Sequence, residues 1–131
     1  MEKKIMSTAA ILGMIAIVLG AFGAHALKKV LSIEQLGTFE TGVKYQMYHA
    51  LFLLFIGCSS AISEKYKRII LNLVISGVLL FSGSIYLLAT NDLTSFNFKV
   101  IGFITPIGGL LLILSWFFLF LFFLKNNSST K

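Results

Sequence analysis

Charge is what this sequence lacks most. Only 12% of its 131 residues are Asp, Glu, Lys or Arg, about half the usual ~25% of a soluble domain. A soluble chain this short must cover itself with polar groups, and sixteen charged residues cannot do that. The shortage excludes a soluble globular domain, and with 57% apolar residues it also excludes a disordered chain. Cysteine is nearly absent too. The lone Cys58 can form no internal disulfide, and with no basic neighbour in sight it reads as a buried, inert thiol in an apolar run. There is a single proline, Pro106, so little interrupts helix formation. Enzyme signatures are missing: no G-x-S-x-G, no phosphate-binding loop, no H-E-x-x-H and no C-x-x-C. No Asp or Glu lies inside an apolar run; Glu40, Glu64 and Asp92 only flank them. The expectation is a protein that is not an enzyme, with no cofactor and no metal.

What is present is hydrophobic length. Uncharged stretches occupy Ile5–Ala24, Tyr45–Ser63, Ile69–Asn91 and Val100–Leu124. Each, at 1.5 Å per helical residue, is long enough for a hydrocarbon core of about 30 Å. Barrel strands would alternate in polarity, but Leu110–Leu114 and Phe117–Phe123 are continuously apolar. The pattern predicts an all-α fold: an integral membrane four-helix bundle forming one domain over residues 1–131. Its spans fall at about 5–25, 45–63, 69–91 and 104–124.

The net charge of +6 fits the same picture. Basic residues sit between and beyond the apolar runs, where they meet anionic lipid, so the partner is the bilayer and not nucleic acid. With four spans, Lys3, Lys4, Lys65, Lys67, Arg68, Lys125 and Lys131 share one side, against Lys28, Lys29, Lys44 and Lys99 on the other. Seven against four predicts cytoplasmic termini, although Lys28 and Lys29, close to the first span, argue the other way.

The first run imitates a secretory signal, with Lys3 and Lys4 before it and Ala24-His25-Ala26 after it. It is longer than a signal's apolar core, however. Its small residues Ala9, Gly13, Ala16, Gly20 and Gly23 also follow a spacing of four and three, a helix-packing seam. The expectation is that it is retained. Between the first two spans, Ser32 and Gln35 fit a capping box, Leu36, Phe39, Val43 and Met47 recur at helical spacing, and Glu40 and Lys44 read as an i,i+4 pair. These predict a short amphipathic helix at about 32–44 lying at the membrane interface, with Gly42 as a bend into span two. Glu64–Arg68 reads as a tight basic turn. Thr105 and Pro106 read as the N-cap and first residue of helix four, with Val100–Ile104 non-helical, or else as a kink in a helix from Val100. Gly108 and Gly109 would let another backbone approach.

Two groups of residues invite a functional reading. His25, Glu40, Tyr45, Gln46 and His49 all belong to the first connection and the start of span two. Titratable groups near lipid are costly, and they are expected to meet in one hydrogen-bonded cluster capping the bundle. Hydrogen bonding between helix ends is the plainer role; metal ligation is disfavoured by the 24 residues between the histidines, and a proton or solute relay is the third option. The second group is Ser76-Gly77, Gly83-Ser84 and Thr90-Asn91, pairs that repeat every seven residues in span three. They form a stripe suited to close packing or to lining a path.

Four segments then carry a resemblance. They are Gly20–Lys28 (GAFGAHALK), Phe39–Leu51 (FETGVKYQMYHAL), Leu80–Tyr86 (LFSGSIY) and Ile104–Gly109 (ITPIGG). In this order, over nearly the whole chain, they resemble the small four-span membrane proteins called domain of unknown function 423, or uncharacterised protein family 0382. The resemblance implies a multi-pass protein of the bacterial plasma membrane with a eukaryotic transmembrane relative, and it implies no reaction. The leading expectation is a structural, assembly or accessory role, as a homo-oligomer or beside another membrane protein. A small-solute or ion transporter or channel component is the first alternative. A membrane enzyme or cofactor protein using His25, Glu40 and His49 is the second.

Overall fold

A computed structural model of the chain describes residues 1–95 and 97–127. Lys131 of the charge count lies outside these. The described residues form four long helices and no strand: α1 (Glu2–His25), α2 (Ile33–Cys58), α3 (Glu64–Ala89) and α4 (Ile104–Asn127). Short 3₁₀ turns at Leu27–Lys29, Asn91–Leu93 and Phe98–Ile101 fill the longer connections. Each helix packs mainly on its neighbours in sequence, α1 on α2, α2 on α3 and α3 on α4. This is a helical membrane bundle. Glu2–Lys29, Glu64–Ala89 and Lys99–Asn127 are long and apolar enough to cross a membrane.

The interfacial helix does not exist as a separate element. Residues 33–58 are one continuous α2, so the amphipathic segment and the second apolar run share one axis. The capping box is present: Ser32 Oγ accepts from the Gln35 N–H at 3.1 Å, and Gln35 Oε1 accepts from the Ser32 N–H at 3.0 Å. Gly42 lies inside unbroken helix; its missing side chain makes room for Tyr86, whose ring carbon would be 2.7 Å from a Cβ placed there. Phe39, Val43 and Met47 of the apolar stripe pack on α1, and Leu36 packs beside Leu27, Leu31 and Ala89, so the stripe is turned into the bundle. A Cβ on Gly23 would lie 3.1 Å from the Phe39 ring, and one on Gly20 would lie 3.4 Å from Val43. One on Gly13 would lie 3.7 Å from Ala50 and 3.9 Å from Met47 Sδ. Ala9 and Ala16 are buried along the same line, so the small-residue seam and the apolar stripe are the two halves of one antiparallel contact.

Two boundaries also move. α2 ends at Cys58, which is exposed at the helix end and not buried, so the second connection is Ser59–Ser63, and Glu64–Arg68 is the first turn of α3. An acidic residue is favoured there by the helix dipole. α4 begins at Ile104, so Thr105 is not its N-cap and Pro106 sits in the first turn, where backbone N–H groups have no helical acceptor to lose. Of the stretch 100–104 expected to be non-helical, residues 100 and 101 belong to the 3₁₀ turn Phe98–Ile101 and Ile104 already belongs to α4. The close approach at Gly108 is real: a Cβ there would be 2.6 Å from the Leu80 carbonyl carbon and 2.8 Å from the Phe81 Cα.

Candidate functional site

The polar side chains buried between the helices are Gln46, His49, Lys67, Ser82, Ser84 and Ser115. Gln46, 3% exposed, joins three helices. Its amide nitrogen donates to the Leu12 carbonyl of α1 at 2.9 Å, and its Oε1 accepts from the Tyr86 hydroxyl of α3 at 2.7 Å. An amide suits this position because it carries a donor and an acceptor on one short side chain. Beside it the Ser82 hydroxyl donates to the Gly42 carbonyl at 2.7 Å. On the other flank of α3 the Ser84 hydroxyl donates to the Phe81 carbonyl at 2.9 Å and meets the Thr105 hydroxyl at 2.6 Å. Since Ser84 has spent its only hydrogen, Thr105 is the donor of that pair.

His49 links α2 to α4. Its Nδ1 lies 2.7 Å from the Tyr45 carbonyl, and the Trp116 indole N–H donates to its Nε2 at 3.2 Å. A carbonyl only accepts and an indole only donates, so these partners select the neutral Nδ1–H tautomer. Trp116 in turn stacks on Phe52, with centroids 4.1 Å apart and planes at 23°. Around this pair an open groove of about 370 Å³ lies between α2 and α4, floored by Phe81 of α3 and lined by Thr41, Tyr45, His49, Gly109 and Trp116. Its size falls within the range of small-molecule sites, and its walls are largely apolar.

At the opposite end of the bundle, Lys67 is 1% exposed and its ammonium lies 2.9 Å from the Glu2 carboxylate. This pair ties the start of α1 to the start of α3.

The expected cluster of five residues is therefore divided. Tyr45, Gln46 and His49 stand on consecutive turns of α2, with Gln46 and His49 turned inward. His25 and Glu40 are exposed, and no hydrogen bond joins them to the others among the described residues. His49 stands sixteen residues into α2, about 24 Å along the helix, whereas His25 ends α1. The span-three stripe divides as well. Gly77 and Ser84 face α4, where a Cβ on Gly77 would be 2.6 Å from Leu112. Ser76 is exposed, Gly83 faces open space, Thr90 bonds back to the Tyr86 carbonyl at 2.8 Å, and Asn91 begins a 3₁₀ turn. Among the described residues, no three His, Cys, Asp or Glu side chains are grouped to hold a metal.

Sequence reasoning passed over Trp116, Tyr86, Ser82 and the buried role of Lys67. The signal for Trp116 was there: a single indole N–H in a long apolar run needs an acceptor, and His49 is the one histidine within another apolar run. Ser82 and Tyr86, four residues apart, share a helix face that the glycine and serine pairs drew attention away from.

Comparison with known proteins points to a membrane-protein family. A family model described as "Protein of unknown function (DUF423)" matches residues 19–109. The chain is 37% identical over 116 residues to a UPF0382 membrane protein of Haemophilus influenzae, covering 88% of this chain and 90% of that one. It is 35% identical over 122 residues to the UPF0382 membrane protein YwdK of Bacillus subtilis, covering 87% and 90%. It is 37% identical over 114 residues to the UPF0382 inner membrane protein YgdD of Escherichia coli, covering 82% and 79%. No solved structure matches the chain.

Proposed function

The chain belongs to the DUF423 family of membrane proteins, and on that premise we propose that it serves as a structural or assembly partner in the plasma membrane and not as a catalyst. One observation supports this reading: every buried side-chain nitrogen or oxygen among the described residues has a hydrogen-bond partner within the bundle. The polar groups are used to join helices, which leaves none poised inside for a substrate. In this reading all four helices cross, because α2 is antiparallel to α1 along most of its length, and both termini face the cytoplasm with the larger share of Lys and Arg.

Two measurements test it. Purification from native membrane in mild detergent is expected to recover the chain in a stable complex, and reconstituted liposomes are expected to show no solute or ion flux above empty ones. Flux that depends on the protein would overturn the assembly role and favour a transporter, for which the open His49 and Trp116 groove is the supporting feature. For topology, a cysteine probe at Ser129, which lies outside the described residues, is expected to resist labelling from outside intact cells in a Cys58→Ser background. Labelling there would reverse the assigned orientation.

A further inference from the structure

α2 carries a face that none of the described residues covers. Gly37, Glu40, Lys44, Tyr48, Leu51 and Phe55 recur at intervals of three and four, and all are exposed. The depth of this face follows from its contact with α1. Val43 lies opposite Gly20, and α1 stays uncharged as far as Ala24, so Lys44 stands about 6 Å inside the level where α1 turns polar. Tyr48, near the level of Gly13, is about 15 Å inside. At this depth the exposed positions of α1 and α3 are Ile17, Val18, Leu79 and Leu87, all suited to acyl chains.

Glu40, next to Phe39 opposite Gly23, stands near the level where α1 turns polar, and Lys44 stands one turn inside it; charged groups in membrane segments normally pair. Glu40 and Lys44 stand one turn apart, yet neither makes a hydrogen bond or ion pair among the described residues. Gly37 is an independent sign on the same face. A Cβ there would meet nothing within 4 Å, so no neighbour in the chain requires a glycine. Glycine is unfavourable inside a helix, and small residues four apart, here Gly37 and Thr41, let a second membrane helix approach closely.

We propose that this face of α2 is the interface of a two-fold symmetric homodimer, in which Glu40 of each copy pairs with Lys44 of the other. Copies inserted with the same topology are related by an axis along the membrane normal, so equal levels of α2 meet. A face with one charge of each sign, one turn apart, is complementary to itself under that rotation. The apolar end, Leu51 and Phe55, packs below the charges, and Gly37 and Thr41 close the helices above them. The inference rests on α2 crossing the membrane.

The test uses the full-length protein carrying two different affinity tags, co-expressed in one membrane. The wild type is expected to copurify with itself. Glu40→Lys with Glu40→Lys, and Lys44→Glu with Lys44→Glu, should each be recovered about ten-fold less, because like charges then face one another in a dry contact. Glu40→Lys with Lys44→Glu should recover wild-type pairing. Within each helix of that mixed pair the two positions still carry like charge, so only contact between copies can restore it. A wild type that does not pair, single variants that pair as well as the wild type, or a mixed pair that fails would each overturn the dimer; so would capture of a different chain on this face. In membranes of the Glu40→Lys, Cys58→Ser protein, Tyr48→Cys should resist a water-soluble maleimide. Rapid labelling would overturn the crossing of α2 itself, separately from the pairing.

Discussion

Along Ala9–Gly23 α1 meets α2 through side chains of one carbon or none, whereas α3 adds hydroxyls, an amide and aromatic rings to its apolar contacts with α2 and α4. In the first contact Gly13, Gly20 and Gly23 lie against Phe39, Val43, Met47 and Ala50 with Ala16 buried between them, and among the described residues Gln46 to Leu12 is the one side-chain hydrogen bond across it. In the second, Ser82, Ser84, Tyr86 and Thr105 bond between helices, and Gly108 brings two backbones together. Lipid tails are as apolar as the side chains they replace, so membrane helices associate by fit and by polar pairing. The two contacts of this bundle divide those means between them. Fit along a seam is distributed over many small approaches; polar pairing is concentrated in a few atoms.

That contrast makes the second region the more fragile. Gly108→Ala should do the most damage, since its methyl group would enter the α3 backbone, and a cost above the ~1–3 kcal/mol of ordinary overpacking is expected. Loss of folded protein after detergent extraction is the readout, and normal yield would show that the helices can part freely. His49→Ala comes next at about 2–3 kcal/mol, because it empties a buried site and leaves the Trp116 N–H unpaired. Thermal unfolding followed by Trp116 fluorescence measures it, Trp116 being the only tryptophan. In the seam, Gly20→Leu should cost about 1–2 kcal/mol, because Val43 must yield, while Ile17→Leu on the exposed side should change nothing measurable. Equal unfolding temperatures for these two variants would mean that the seam is not a fitted contact. The smallest effect is expected for Tyr86→Phe, near 0.6 kcal/mol, the mean for one interhelical hydrogen bond in a membrane protein. A cost as large as that of His49→Ala would show that Gln46 depends on Tyr86 more than a single bond accounts for.

The same division governs what could be read from the sequence. Seam residues announce themselves, because a four-and-three spacing of Gly and Ala is a local pattern; so is the Ser32 and Gln35 box. Periodicity also found Leu36, Phe39, Val43 and Met47, but an apolar stripe says only that a face is covered, and the cover was α1 and not the membrane interface. Polar partners are another matter. Gln46 and Tyr86 are 40 residues apart and His49 and Trp116 are 67 apart, so no local pattern connects them. Grouping the polar residues by nearness in the chain joined His25 and Glu40 to His49, although α2 carries His49 far from both. Lys67 was counted among flanking charges because a sequence shows the charge and not its burial. The family was legible throughout, its motifs being short and ordered; no activity was, since none of those motifs carries a reactive arrangement.

One feature of the fold bears on how it is made. Because each helix packs on the one before it, α2 finds α1 already in place, α3 finds α2, and α4 finds α3. Synthesis order and assembly order therefore coincide, and contacts of short sequence separation form quickly. The Glu2 and Lys67 pair departs from this order, joining residues 65 apart on α1 and α3, as the His49 and Trp116 pair does between α2 and α4. The start of α1 meets Lys67 only once α3 is in place, so the salt bridge closes the first three helices on one another.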